Sequence, residues 1–320
     1  MTKPRTPAIA AWAELDLARS FYKASPHKYF DRRLRALLVM LGAESAVDEL
    51  FKAGLHYKDF TAKDAPEEAG AGEGSDAGRD QYAAVEAVVL LHHVAESMMR
   101  LYLAHANRNP FPWLEVAKLT DFREFKKRIA ELSRSLDDDG VMADALEVFS
   151  YAATPDFVEG EGTEEGWNDH ASALRSLLRI AIATLLDEAH VYNATKHGMA
   201  VLSSELSISL SAPDEPELGV NSGGQSLQFL ETVIAEDGQS RWSRTTVWVD
   251  VTKNLALIHL MTKMMESLWK SARAHYGVES LAQIPHILRS EMIEAVLRTH
   301  LEEFTITRMS EQLPVAEESA

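Results

Sequence analysis

The chain has 320 residues, 46% of them hydrophobic, a formal net charge of -17 and no cysteine. That length and apolar content suffice for one large core or two smaller ones, which excludes a disordered chain; the lack of cysteine excludes disulfides, zinc–thiolate sites, iron–sulfur clusters and a thiol nucleophile, and fits a reducing, cytoplasmic setting. Four stretches, 61–80, 156–169, 211–219 and 311–320, carry -16 of the charge, so the remaining body is close to neutral and bulk charge excludes neither RNA nor a protein partner.

Glu14 and Asp16 interrupt what would be the apolar core of a signal peptide in the first residues, so export is not expected. The mostly apolar run Ile180–Leu186 falls far short of the roughly 18 residues of a membrane span. Residues 6–22 and 29–59 read as helices, the second with Leu34, Leu37, Leu38, Leu41, Val47 and Leu50 at spacings of three and four. Broken near Pro26, they form an N-terminal helical arm over 1–60. Segment 61–80 is rich in Gly, Ala and acid without a period and reads as a flexible acidic linker.

From Gln81 to Asn107 the chain is apolar on most sides, as a central buried helix is, and Pro110 and Pro112 end it. Phe122–Leu136 predicts a basic amphipathic helix and Val141–Ala153 a shorter one. A loop covers 156–169, and a long helix covers about His170 to His197. Gly198 would end that helix in the left-handed conformation, with Lys196 and His197 at the negative end of the dipole.

Beyond Gly198 the period changes to two: Leu206, Ile208 and Leu210 alternate with serines. Leu227–Ala235 and Thr245–Val251 are further strands, joined through Asp237-Gly238. Helices return at Thr252–Tyr276 and Pro285–Phe304. The expected architecture is mainly α, a helical bundle with a small three-stranded antiparallel β insertion. The bundle core is 81–200, the insertion 201–251, the helices completing the bundle 252–310, and 311–320 a disordered tail.

Two polar stripes cross these apolar helices. His93, Glu96 and Arg100 share one face of the central helix, with Asn107 a heptad beyond; Asp187, His190, Asn193 and His197 share a face of the later one. Aligned, the stripes would line a pocket between helices. The plainer alternatives are an intrahelical Glu96–Arg100 pair and a His197 that only complements the helix dipole. His93, Glu96, Asp187 and His190 also offer nitrogen and oxygen ligands for Zn, Ni, Mn or Fe. No Gly-x-Gly-x-x-Gly after a strand, P-loop, Gly-x-Ser-x-Gly elbow or His-Glu-x-x-His is present, and no cofactor is expected. Trp242, Trp248 and the basic helix at Arg123–Arg128 could dock a protein partner, with the tryptophans packing the sheet onto the bundle as the alternative.

A long helix ending in Asn193-x-x-x-His197, beside an earlier helix with Glu96 and Arg100, resembles the HEPN superfamily of helical bundles, many of them RNases or toxin components. Asn193 matches the polar position of the family motif and His197 its histidine; the arginine position is Tyr192. Arg100 and His105 satisfy a looser form of the spacing. The resemblance, over about 81–200, implies an RNA- or nucleotide-interacting homodimer in which His197 is general acid or base, with Asn193 beside it. Arg100 or Lys196 would supply the cation, and His93, Glu96 and Tyr192 would line the binding site.

Overall fold

In the computed structural model the described residues are 16–17, 20–42, 49, 55–57, 60–62, 75–106, 111–151, 163–196, 200–212, 215–234, 238–278, 286–303 and 307–313. Among them the helices are α1 (Pro26–Gly42), α2 (Ser75–His105), α3 (Pro112–Lys118), α4 (Phe122–Ser135), α5 (Asp139–Ser150), α6 (Glu164–Leu186), α7 (Ala189–Thr195), α8 (Val251–His275) and α9 (Ser290–Glu303). The strands are β1 (Leu55–Tyr57), β2 (Phe60–Ala62), β3 (Val201–Ala212), β4 (Glu215–Ile234), β5 (Ser240–Trp248) and β6 (Arg308–Gln312). The chain is mainly helical with a small antiparallel sheet, and no helix among the described residues is long and apolar enough to cross a membrane.

Two compact units divide the chain. The first takes Met1–Asp31, His92–Asp187 and Ile258–Glu294; the second takes Arg32–Leu91, Glu188–Leu257 and Ala295–Ala320. Each is a set of non-contiguous segments.

In the first unit, caps start the helices. Asp121 accepts from the backbone N–H of Arg123 and Glu124 at the start of α4, Asp138 from Gly140 at α5, and Thr163 from Gly166 at α6. The cap at Thr163 explains one departure from the sequence reading. Glu164 and Glu165 look like part of an acidic loop, yet they occupy the first turn of α6, where the positive end of the helix dipole favours them. The core of this unit includes Met98, Phe125, Ile129, Phe149, Leu174, Leu177, Met264 and Trp269, all almost inaccessible. His170 is buried among them as a cross-link. Its Nδ1 accepts from the Leu288 N–H at 3.0 Å, which leaves the Nε2 proton to donate to Ser150 Oγ at 2.9 Å.

In the second unit the sheet order is β3-β4-β5-β6, all antiparallel, and β1 and β2 form a separate hairpin. The inward face of Val201, Leu227, Phe229 and Val249 packs on Ala84 and Val191. Gly238, with φ of 77°, supplies the left-handed residue of the β4–β5 turn. The opposite face carries Leu202, Leu230, Ile234, Trp242 and Met309, each at least 37% exposed.

Four expectations need correction. The main sheet has four strands, not three: β6, read as the end of the C-terminal helices and the start of a tail, pairs with β5 from Val247↔Arg308 to Ser243↔Gln312. All its residues are exposed, so it lacks the buried alternation that marks a strand. Residues 55–57 are a strand where the helix over 29–59 is predicted, and their partner strand 60–62 runs into the start of the expected linker. The end of the expected linker, from Ser75, is already helix. The helix expected over 170–197 begins at Glu164 and is broken at Asp187 and Glu188 into α6 and α7, with no Gly or Pro at the break.

Candidate functional site

Glu96 and Arg100, one turn apart on α2, form the intrahelical pair that the spacing allows. Glu96 Oε1 accepts from Arg100 Nε at 2.8 Å and Nη2 at 2.6 Å, and the guanidinium lies 4.2 Å over the ring of Phe125. Arg100 is thereby fixed on one side of α2 within the first unit, with Nη1 buried and without a hydrogen-bond partner. His93 is partly buried on the same helix.

The break between α6 and α7 removes the continuous face assumed for the second stripe. Asp187 caps the end of α6, its N–H bonded to Ala183 O, whereas His190, Tyr192, Asn193 and Lys196 belong to α7 and its end in the second unit. Lys196 Nζ donates to Asn193 Oδ1 at 2.9 Å and lies 5.6 Å from the Tyr192 ring centre. His190 Nε2 accepts from Arg308 Nη1 of β6 at 2.7 Å, and Arg308 also bonds Glu231. His197, Gly198 and Asn107 lie outside the described residues. Among the described residues no three His, Asp or Glu side chains are grouped to hold a metal ion, so the alternative set His93, Glu96, Asp187 and His190 is not assembled as one.

The first unit instead contains a cleft of about 350 Å³ that the stripes do not line. Its walls come from the end of α2, the second half of α5 and the end of α8. Asp144, Glu147 and Tyr151 fall at i, i+3 and i+7, so α5 and its C-cap present all three to the cleft. His275 and Tyr276 line it from the end of α8, and His105 from α2. The stripe at 144, 147 and 151 was readable in the sequence as helical spacing; the approach of α8 was not.

The chemistry of the walls is well defined. His105 is buried, and Nδ1 lies 2.7 Å from Leu101 O, an acceptor, so Nδ1 carries the proton. Nε2 is then an acceptor and receives the hydroxyl of Tyr22 at 2.8 Å. Burial pushes this imidazole down to about 4, helped by nearby His275 and opposed by the Leu101 carbonyl. At neutral pH His105 is an uncharged wall. Tyr102 donates its hydroxyl to Asp144; burial and that carboxylate raise the phenol well above its ordinary value. Tyr276 is pushed up to about 12 by burial and stacks on Tyr22, ring centres 5.3 Å apart.

Tyr151 has φ of 65°, the one non-glycine residue in the left-handed region among those described. It is the C-cap of α5, its N–H bonded to Glu147 O at 2.9 Å. Glycine is the ordinary choice there, and a tyrosine in that conformation costs on the order of 1–2 kcal/mol. The formal charges lining the cleft are the carboxylates of Asp144 and Glu147, and no Lys or Arg lines it. An acidic cavity edged by phenol and imidazole rings suits a positively charged guest. Compared with known proteins, the chain matches no family model, no curated protein and no solved structure.

Proposed function

We propose that the first unit is a binding module for a small organic cation, an ammonium or guanidinium compound, held in the α2–α5–α8 cleft. The observation that carries this reading is the convergence of Asp144 and Glu147 with Tyr151 and Tyr276 around about 350 Å³, without a Lys or Arg among the lining residues. The volume is at the small end of ligand pockets, roughly 300–1,000 Å³, and suits a compact guest. Carboxylates attract the charge, and aromatic faces within about 6 Å of a cation add roughly 0.5–2 kcal/mol. A phosphate-bearing guest would meet two carboxylates and be repelled.

Calorimetric titration with choline, putrescine and arginine tests this reading. Saturable binding of at least one, weakened tenfold or more in Asp144→Asn and in Glu147→Gln, is expected. Absence of binding by all three, or equal binding by both variants, overturns it.

A second reading follows the resemblance to HEPN bundles: a cytoplasmic RNA- or nucleotide-interacting homodimer acting at the end of α7. What favours it is Lys196, exposed, bonded to Asn193 and set against the Tyr192 ring, so that cation, amide and aromatic surface stand together. Arg100, the other cation that the resemblance implies, is paired with Glu96 within the first unit. Cleavage of end-labelled RNA in excess EDTA by the wild type, lost in His197→Ala, is the expected result. Intact RNA, or equal cutting by both proteins, removes the RNase reading.

A further inference from the structure

Around Glu266, on the α8 segment of the first unit, positive charge exceeds what one carboxylate neutralises. Lys263, Glu266 and Lys270 fall at i, i+3 and i+7 and share a face of α8. Glu266 Oε1 accepts from Lys270 Nζ at 2.8 Å, while Oε2 lies 3.1 Å from His286 Nε2 and 3.5 Å from Lys263 Nζ. At the start of α1, His27 lies in the field of Glu266, Lys263 and Lys270, and Lys28 beside it adds a further ammonium. Two ammonium groups and the His286 imidazole therefore meet a single carboxylate, with the His27 ring in the field of that cluster and the Lys28 ammonium beside His27. In a chain with a net charge of -17, this is a local surplus of the opposite sign.

We propose that this face binds an inorganic-phosphate-class anion, with Lys263 and Lys270 as its main donors and His27, Lys28 and His286 completing the positive field. The lysine side chains are 36% and 45% exposed while touching Glu266, so both stand at the protein surface. Each ammonium has three N–H donors and points one at the carboxylate, which leaves donors for an oxyanion. Lysine holds phosphate as a point charge and needs no fork geometry. Glu266 is the intrinsic competitor of the guest, because it occupies the lysines in its absence.

The imidazoles couple the site to pH. His27 is held below its ordinary value by burial and by Lys28, Lys270 and Lys263, against Glu266; His286 is held down by burial and by Lys263 and Lys270, against the same carboxylate. A bound dianion reverses the sign of the field that these lysines impose on both rings and draws protons onto them. Binding of sulfate, which does not itself titrate in this range, therefore takes up protons at the rings, whereas phosphate and pyrophosphate titrate near the same pH and add a proton release of their own when bound in the more charged form.

The test is calorimetry of the full chain with inorganic pyrophosphate at low ionic strength, near pH 6.5, in two buffers of different protonation enthalpy, with inorganic monophosphate and sulfate as further arms. Saturable binding that weakens as salt rises is expected, with net proton uptake in the sulfate arm. The double variant Lys263→Gln/Lys270→Gln is expected to bind at least tenfold more weakly, and Lys127→Gln, exposed on α4, to bind as the wild type. Glu266→Gln is expected to bind more tightly, which a purely structural ion-pair cluster would not produce. Monophosphate and sulfate binding as well as pyrophosphate assigns a single oxyanion; a marked pyrophosphate preference assigns a diphosphate. No binding by any probe, unchanged binding by the double variant, or proton release on binding sulfate overturns the proposal.

Discussion

The hydroxyl of Tyr22 donates to Nε2 of His105 at 2.8 Å, and both groups lie almost wholly out of water. The bond fixes the tautomer of a ring that forms part of the cleft wall. Tyr22→Phe keeps the shape and leaves the imidazole nitrogen without a donor. A buried acceptor deprived of its partner costs about 1–3 kcal/mol. A lowered urea midpoint with an unchanged slope is the expected result, and an unchanged midpoint would show that water replaces the hydroxyl.

Three buried histidines set an acid limit on the first unit. His92, His105 and His170 are each at most 5% exposed and each pushed down to about 4, by burial first. A folded value below the unfolded one means that protonation favours unfolding. Stability is intact above about 6.5 and falls as pH drops towards 4, by up to about 3 kcal/mol per ring. Glu266 acts in a lower window. Burial pushes its carboxyl up, but bonds from Lys270 and His286 outweigh this and hold it at about 2, so its contribution is lost between about 4.5 and 2. Thermal unfolding from pH 7.5 to 4 is expected to show its steepest loss below 6.5. A flat profile to pH 5 contradicts the buried neutral rings.

The helical bodies were legible because α2, α4 and α8 carry long apolar periods, and the Asp-Gly turn before β5 because Gly238 must take positive φ. Edges and junctions were not. β6 is exposed at every residue and held by backbone pairing to β5, and the break at Asp187 involves neither Gly nor Pro. The Glu96–Arg100 pair was legible because it is local, four residues apart. The cleft was half legible. The spacing of Asp144, Glu147 and Tyr151 is a helical stripe in the sequence, but its meeting with His275, more than a hundred residues later, depends on tertiary packing that no local period reports.

Trp242 and Trp248 look equivalent in sequence, and the structure separates them. Trp242 is 58% exposed on the outer face of the sheet, whereas Trp248 is 3% exposed with its indole N–H donating to Leu206 O at 2.9 Å. Trp248→Ala removes a buried ring and leaves a cavity, a loss of about 3–5 kcal/mol. Trp242→Ser is expected to change stability by less than about 0.5 kcal/mol. Denaturant titration of both variants checks the contrast, and a comparable loss in the two would mean that the outer face is covered in solution.

Tyr151 offers a way to separate fold from ligand. Its positive φ would be relaxed by glycine, which adopts that conformation without a Cβ penalty. Replacing it removes an aromatic wall of the cleft at the same time. Tyr151→Gly is therefore expected to keep or raise unfolding free energy, by up to about 1 kcal/mol after the loss of side-chain contacts, while weakening cation binding several-fold. Tyr151→Phe keeps the ring and the strain and removes only the hydroxyl, so it is expected to bind a cation nearly as the wild type. Calorimetry and urea unfolding on the two variants read both effects. If Tyr151→Gly lowers stability and leaves cation binding intact, the tyrosine serves the packing of α5 and its left-handed backbone has no part in the site.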